Sequence, residues 1–151
     1  MKKISLLLVI TLAGLMVNAN AQDQKAETFT GASAHKKHYQ AVYQLNNDDE
    51  KVIKATLKNI NNALEDPRLK GKLEIELVVH GGGVAVFKKD KPYEQQLKDL
   101  QGKGVILAQC LNTMKERNIS KDELFDFISF VPSGNGEIII RQQEGWAVVH
   151  P

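Results

Sequence analysis

The amino-acid sequence predicts one three-layer α/β/α domain, in which helices cover both faces of a mainly parallel sheet of about five strands. Short segments with the alternating or continuously apolar pattern of strands recur along the chain, and segments with helical periodicity lie between them. Parallel neighbours need a crossover connection, which an intervening helix provides. Alternating strands and helices therefore favour a parallel sheet.

The first strand is predicted over residues 39–45, where apolar or aromatic side chains occupy every second position. Asn47 and Asp48 are predicted to cap the helix that follows, and this helix ends before Pro67. Its apolar residues recur at helical spacing, at Ile53, Leu57, Ile60 and Leu64. The pattern indicates a helix that packs one face on the sheet.

A second strand is predicted over residues 73–79. The three glycines at residues 81–83 follow it and predict that the strand ends there. Pro92 is predicted in the first turn of the next helix, a position that proline favours. The apolar positions of that helix are Tyr93, Leu97 and Leu100. Residues 105–108 are continuously apolar, which predicts a third strand covered on both faces.

Two further strands and three short helices are predicted in the last part of the chain. A helix covers residues 112–117, and Ser120 with Glu123 forms a capping box that opens a second short helix. Residues 128–131 follow as the fourth strand, and residues 146–149 form the last one.

The segment between these two strands carries conflicting signals. Residues 138–140 are three isoleucines, whose β-branched side chains favour a strand. Gly136, Arg141 and Gly145 frame the same segment as a short helix with a glycine after its C-terminus. We predict a helix.

The N-terminus has the three zones of a secretory signal peptide. Lys2 and Lys3 precede a largely apolar run of 14 residues at 4–17, and the small triplet at 19–21 stands before a predicted cleavage site at Gln22. The run is shorter than the about 20 residues that cross a bilayer, so we expect an exported, periplasmic protein without a membrane anchor. The predicted organisation is a signal peptide at residues 1–21, a flexible leader at 22–37 and the α/β domain at 38–151.

Composition narrows the classes of partner. Cleavage would leave 130 residues (151 − 21) with 18 basic and 18 acidic side chains, because the signal peptide takes two of the 20 basic residues. No dense basic stripe with interleaved aromatics occurs, so nucleic acid is not predicted as a partner. His35 and His38 lack the cysteine or carboxylate cluster that would complete a metal site, and we predict neither a metal nor a cofactor. The single cysteine, Cys110, excludes a disulfide within the chain.

Chemistry-bearing residues follow three of the predicted strands. In open α/β sheets, ligands bind beyond the carboxyl ends of the strands, so these loops are predicted to converge on one rim. The candidate residues are His80, Gly81, Gly82 and Gly83 after the second strand, Cys110, Asn112 and Thr113 after the third, and Ser133 and Gly134 after the fourth.

Cys110 stands where a strand gives way to a helix. The field at a helix N-terminus lowers a thiol pKa and favours the reactive thiolate. The same position fits a small buried core residue equally well, because free cysteine is among the residue types most often fully buried. Both interpretations, a reactive thiol and an inert core residue, remain open from the spacing alone.

The other residues of the predicted rim have structural roles as alternatives. Asn112 and Thr113 can cap the helix or donate hydrogen bonds to a bound sulfur group. His80 can supply a positive charge or move a proton near the thiol, or it can be a structural residue whose ring is hydrogen-bonded at the end of a strand. The three glycines lack the Lys and Ser/Thr of a phosphate-binding loop, which favours a tight turn, and Ser133 lacks the G-x-S-x-G pattern of a hydrolase.

Four segments of the chain resemble the DsrE/DsrF family of sulfur-relay proteins, from about residue 38 to the end. They are Val-Val-His-Gly-Gly-Gly-Val at 78–84, Cys-Leu-Asn-Thr-Met at 110–114, Val-Pro-Ser-Gly at 131–134 and Gln-Gln-Glu-Gly-Trp-Ala at 142–147. The resemblance implies an α/β fold that assembles into homo-oligomers or with related subunits. It also implies a cysteine, here Cys110, that carries sulfur as a persulfide received from a donor such as a sulfurtransferase.

Two functional hypotheses follow from the resemblance. The first is a sulfur-handling protein that carries sulfane sulfur on Cys110 in a sulfur relay or in sulfur oxidation. The second is a non-enzymatic oligomeric binding or assembly module with an inert Cys110. Family members known to relay sulfur work in the cytoplasm, whereas the signal peptide of this chain predicts export.

Cleavage of the predicted signal peptide is testable on protein produced with its native N-terminus. We expect N-terminal sequencing of the exported material to begin at Gln22, because signal peptidases cut after small residues such as those at 19–21. A mature chain that still begins at Met1 would contradict export by cleavage.

Overall fold

A computed structural model describes residues 28–151, and the predicted signal peptide at 1–21 lies outside the described residues. The chain divides into two compact units, Met1–Ala32 and Ser33–Pro151. Residues 28–32, the described part of the first unit, contain no helix or strand. None of the helices formed by residues 28–151 has the length and apolar character needed to cross a membrane.

The second unit is built on a five-stranded sheet with the spatial order β4-β3-β2-β1-β5. Every strand runs parallel to its neighbours, which confirms the predicted sheet. The strands are β1 (Tyr39–Leu45), β2 (Leu73–Val79), β3 (Ile106–Cys110), β4 (Ser129–Val131) and β5 (Ala147–Val149). The two edge strands have only three residues each, which limits the backbone that an edge leaves unpaired.

Four α-helices connect or flank these strands. They are α1 (Glu50–Glu65), α2 (Glu94–Gly102), α3 (Leu111–Glu116) and α4 (Gly134–Gln143), and 3-10 helices occupy Gly81–Phe87 and Lys121–Glu123. The apolar stripe of α1, with Ile53, Leu57 and Ile60, is buried as its periodicity predicts. The helix at residues 138–140 is confirmed as part of α4.

The two faces of the sheet carry cores of very different size. The larger core joins alternate residues of β1, β2 and β3 to α1, α2 and Met114 of α3. The smaller core contains Val42, Val78, Ala108 and Trp146, with Ile138 of α4 packed against it. Helices α1, α2 and α3 therefore lie on one face and α4 lies on the other.

The handedness of crossovers explains this division. The chain moves from β1 to β2, β3 and β4 in one direction with its connections on the larger-core side, and then returns past β1 to form β5. Because parallel crossovers are right-handed, the return connection has to use the opposite face. β3 and β4 are thus neighbours whose following helices leave to opposite sides, the arrangement that opens a crevice at the strand ends.

Several predicted boundaries were wrong by one or two residues. The cap of α1 is Asp49 and neither Asn47 nor Asp48, because the Asp49 carboxylate accepts from the amides of Lys51 and Val52 at 2.7 and 3.2 Å. Asn47 instead accepts from the amide of Asp49 at 2.7 Å, which supports the cap from outside the helix.

Three other segments also begin or end away from their predicted positions. Pro92 lies before the first turn of α2, since Tyr93 is the N-cap and the helix begins at Glu94. α3 begins at Leu111 because Cys110 itself is the N-cap. The capping box of Ser120 and Glu123 is present, yet it opens a single 3-10 turn of three residues.

Gly83 marks the tightest approach between loop and sheet. A Cβ atom added there would lie 2.2 Å from the carbonyl oxygen of Leu45, which already accepts from the amide of His80 at 3.1 Å. No side chain fits without moving the backbone at the end of β1.

We expect Gly83→Ala to lower the free energy of unfolding by about 3 kcal/mol, because the added methyl overlaps backbone that cannot move freely. Gly102→Ala is the matched control, since no atom lies within 4 Å of its added Cβ, and it should change the stability by less than about 1 kcal/mol. Urea denaturation of both variants is the measurement. Equal stabilities would contradict the close approach.

Candidate functional site

Cys110 lies at the crevice between β3 and β4. It is the last residue of β3, pairs with Val131 of β4, and serves as the N-cap of α3. Its exposed fraction is only 5%. The thiol is therefore enclosed by the loops that follow β2, β3 and β4.

The thiol of Cys110 accepts a hydrogen bond and has further donors nearby. The Thr113 amide lies 3.5 Å from the Cys110 sulfur. Burial raises the pKa of Cys110, but the amides of Thr113, Gly134 and Asn112 and the hydroxyl of Thr113 lower it, and the net result is a pKa below the ordinary thiol value. A thiolate held by several donors is the form that attacks sulfur.

Thr113 connects the glycine loop to the thiol. Its hydroxyl oxygen accepts from the Gly81 amide at 2.9 Å, and the same hydroxyl lowers the pKa of Cys110. Gly81 has a φ of 54°, a left-handed conformation that glycine adopts without strain and that turns the chain from β2 towards α3.

The N-terminus of α4 meets the thiol from the other side of the crevice. Ser133 is the N-cap of this ten-residue helix, and its hydroxyl accepts from the Gly136 amide at 3.2 Å. Gly134 is buried, and a Cβ added there would lie 3.3 Å from Cβ of Cys110 and 3.0 Å from Cβ of His80. The missing side chain lets the backbone of α4 approach the thiol, where the helix field favours a negative charge.

His80 completes the enclosure as a half-buried ring. Its Nε2 lies 2.8 Å from Nε2 of Gln44. Because an amide nitrogen only donates, this contact assigns the acceptor role to Nε2 and the ring proton to Nδ1. Burial lowers the pKa of His80, and the neighbouring His150 lowers it further. The neutral ring is thus favoured at neutral pH, so His80 can carry a proton but supplies no fixed positive charge.

The remaining predicted rim residues lie at the margin or elsewhere. The side chain of Asn112 is exposed, and only the backbone N–H of this residue acts on Cys110. Gly82 faces Asn46 and Asp48 and lines a separate cleft of about 560 Å³ on the α1 side of the sheet. Gly83 packs on Leu45, so the glycine run opens a 3-10 helix against β1 instead of surrounding the thiol.

Sequence reasoning missed two glutamines at the site. Gln109 is fully buried, and its side-chain amide donates to the carbonyl of Cys110 at 3.0 Å, which fixes the peptide that caps α3. Gln44 orients His80. The sequence signal for Gln109 was a polar residue next to Cys110 in an otherwise apolar strand.

The described residues contain no group of three or more His, Cys, Asp or Glu side chains placed to hold a metal ion. Nε2 of His38 lies 3.2 Å from Oε2 of Glu74, which is a residue of β2.

Comparisons with known proteins agree with this architecture. A sequence model of the DsrE/DsrF-like family matches residues 45–151. MTH1491 from Methanobacterium thermoautotrophicum, a protein of unknown function, is 33% identical with a TM-score of 0.70, and the alignment covers 75% of this chain and 99% of that one. No curated protein gives a significant match.

Two more distant structures share the fold. The ychN protein from E. coli is 17% identical with a TM-score of 0.56, covering 77% of this chain and 100% of that one. BT1422 from Bacteroides thetaiotaomicron, a protein of unknown function, is 9% identical with a TM-score of 0.54, covering 80% and 100%. At these identities the likeness supports the fold alone.

The hydroxyl of Thr113 should control the acidity of the thiol. We expect Thr113→Val to raise the pKa of Cys110 by about one unit, because the thiolate loses a donor and the Gly81 amide loses its acceptor. The pH dependence of native-state alkylation by iodoacetamide measures this pKa.

Two variants are the controls for that experiment. Thr113→Ser keeps the hydroxyl. Asn112→Ala removes the side-chain amide but keeps the backbone N–H, which is the only group of Asn112 that acts on Cys110. Both should retain the wild-type profile. A wild-type pKa in Thr113→Val would show that the hydroxyl has no influence on the thiol.

Proposed function

Because the chain belongs to the DsrE/DsrF-like family, we propose that it carries sulfane sulfur as a persulfide on Cys110 in a sulfur relay or in sulfur oxidation. The observation that carries the proposal is the set of donors around one thiol. The amides of Thr113 and Gly134 and the hydroxyl of Thr113 all favour a negative charge on this sulfur. An inert core cysteine has no need of such donors.

The transfer step needs no external oxidant or reductant. The Cys110 thiolate attacks the outer sulfur of a donor persulfide, a new S–S bond forms on Cys110, and the S–S bond of the donor breaks. The electron pair of the broken bond leaves on the donor sulfur as a thiolate, so charge and oxidation state balance. Attack by an acceptor thiolate on the outer sulfur of the loaded Cys110 returns the protein to its starting state.

The loaded form keeps a negative charge close to the donor groups. A persulfide anion carries its charge on the outer sulfur, one S–S bond of about 2 Å from Sγ of Cys110, and hydrogen-bond donors to an anion contribute more than those to a neutral group. A sulfurtransferase or a small persulfide is the class of donor that this chemistry requires. Enclosure of Cys110 by the loops would slow oxidation of the persulfide in an exported protein.

Assembly with further copies or with related subunits is part of the proposal. Four of the five large apolar residues that are exposed in the described chain lie on α3, α4 and β5, namely Leu111, Ile139, Ile140 and Val148. Ile139 and Ile140 are adjacent on α4, and exposed apolar side chains that lie together favour an interface.

The burial of Cys110 supports a second candidate function. At 5% exposure the thiol has the accessibility of an ordinary core residue. This alternative is an oligomeric binding or assembly module of the same fold in which Cys110 does not react.

Loading with sulfur tests the first function directly. We expect the protein to gain the mass of one sulfur atom after incubation with a low-molecular-weight persulfide, and the Cys110→Ser variant to gain nothing. Intact-protein mass spectrometry is the measurement. Because one sulfur and two oxygen atoms have nearly the same mass, a dithiothreitol step is essential: it removes a persulfide and leaves a sulfinic acid unchanged.

The rate of thiol labelling separates the two candidate functions. A reactive Cys110 should be alkylated in the native state at a rate that follows its thiolate fraction. Negligible labelling of the native protein, normal labelling after unfolding, and no sulfur adduct would together contradict sulfur carriage and support the assembly module.

A further inference from the structure

Helix α4 is weakly held by apolar contacts. Gly134 is its only buried residue, while Ile139 and Ile140 are 60% and 54% exposed. It nevertheless crosses the sheet, with contacts to β1, β2, β3 and β5. Ile138 packs against the smaller core, but this single apolar contact does little to fix the direction of the helix axis.

A buried carboxylate lies beneath this helix. Glu76 is in the middle of β2, its side chain is 2% exposed, and its Oε2 accepts from Nε of Arg141 at 2.6 Å. A buried carboxylate is costly unless it is paired, so the position of Arg141 is tied to that of Glu76. The pair joins the last turn of α4 to the central strand of the sheet.

Further contacts hold the Arg141 guanidinium in one orientation. Nε lies 3.0 Å from Oε1 of Glu137, and Nη1 lies 3.4 Å from Oε2 of Glu144. The guanidinium stacks over the Trp146 ring at 4.4 Å from its centre, and the Trp146 amide donates to the Arg141 carbonyl at 3.0 Å. Arg141 is thus fixed by the sheet, by its own helix and by the segment that enters β5.

Arg141 and Gly134 are seven residues apart, which places them about 10 Å apart along one helix. A short helix moves as a rigid body, so an anchor at one end determines where the other end points. We infer that Arg141 is a positioning residue for Cys110: its contacts with Glu76 and Trp146 hold α4 so that the Gly134 amide stays against the thiol. The inference rests on the proposed function, because the position of this amide matters for a thiol that reacts.

The test measures the thiol pKa from the pH dependence of alkylation, which needs no sulfur donor. We expect Arg141→Gln to raise the pKa of Cys110 by about half a unit and to slow alkylation near neutral pH about threefold. Arg141→Lys, which keeps the charge but not the planar fork, should lie between Arg141→Gln and wild type. Arg68→Gln, which removes an exposed guanidinium paired with Asp66, is the matched control and should not change the pKa.

A second variant separates positioning from a direct effect of charge. Glu76→Leu removes a negative charge, so a direct field effect would lower the pKa of Cys110. Release of α4 from the sheet would raise the pKa of Cys110, and this rise is the expected result. The Glu76→Leu variant also gives an independent answer if Arg141→Gln does not fold.

Two results would overturn the inference. One is an unchanged pKa in Arg141→Gln or Arg141→Lys together with a lowered melting temperature, which makes Arg141 structural only. The other is a lowered pKa in Glu76→Leu. Failure of sulfur loading with the expected pKa shifts would instead reject the proposed function and leave the positioning role in place.

Discussion

The connection from β4 to β5 has to pass over three strands, and the right-handedness of crossovers places it on the face that the other helices leave free. This constraint puts the N-terminus of α4 beside the end of β3. Cys110 thereby receives donors from two helices that lie on opposite faces of the sheet. The chemistry of the thiol follows from the order of the strands.

The same constraint leaves the face under α4 with few apolar residues. One ten-residue helix covers it, and only four side chains form its buried core. The contacts of Arg141 with Glu76 and Trp146 hold the helix on this face. These contacts are directional, whereas an apolar interface would allow the helix to slide along the sheet. Directional anchoring is suited to an element whose first amide has to meet a particular sulfur atom.

The sequence predicts best what depends on local pattern. Apolar patterns identified all five strands and the helices α1 and α2, and the glycines and Arg141 around residues 138–140 identified α4 against the strand propensity of isoleucine. The Asp49 cap was missed because the four consecutive Asn and Asp residues at 46–49 could each fill that role, and only the exact start of the helix decides among them.

The site was harder to predict in full, because its contacts join distant parts of the chain. Strand-end reasoning singled out Cys110, Thr113 and Gly134, since it needs only the end of each strand. The pairing of Glu76 with Arg141 spans 65 positions and depends on which helix crosses which strand, which no local pattern reveals. The separation of Gly82 and Gly83 from the thiol likewise depends on packing against β1.

The pairing of β3 with β4 has a chemical consequence of its own. Gln109 pairs with Phe130 and Cys110 pairs with Val131, and consecutive side chains of a strand point to opposite faces. A slip of β3 by one residue would exchange their surroundings, with an amide among the donors of α4 and the sulfur enclosed by the aliphatic side chains under α1 and α2. The alignment of two short strands thus decides whether this protein has a polarised sulfur atom or none.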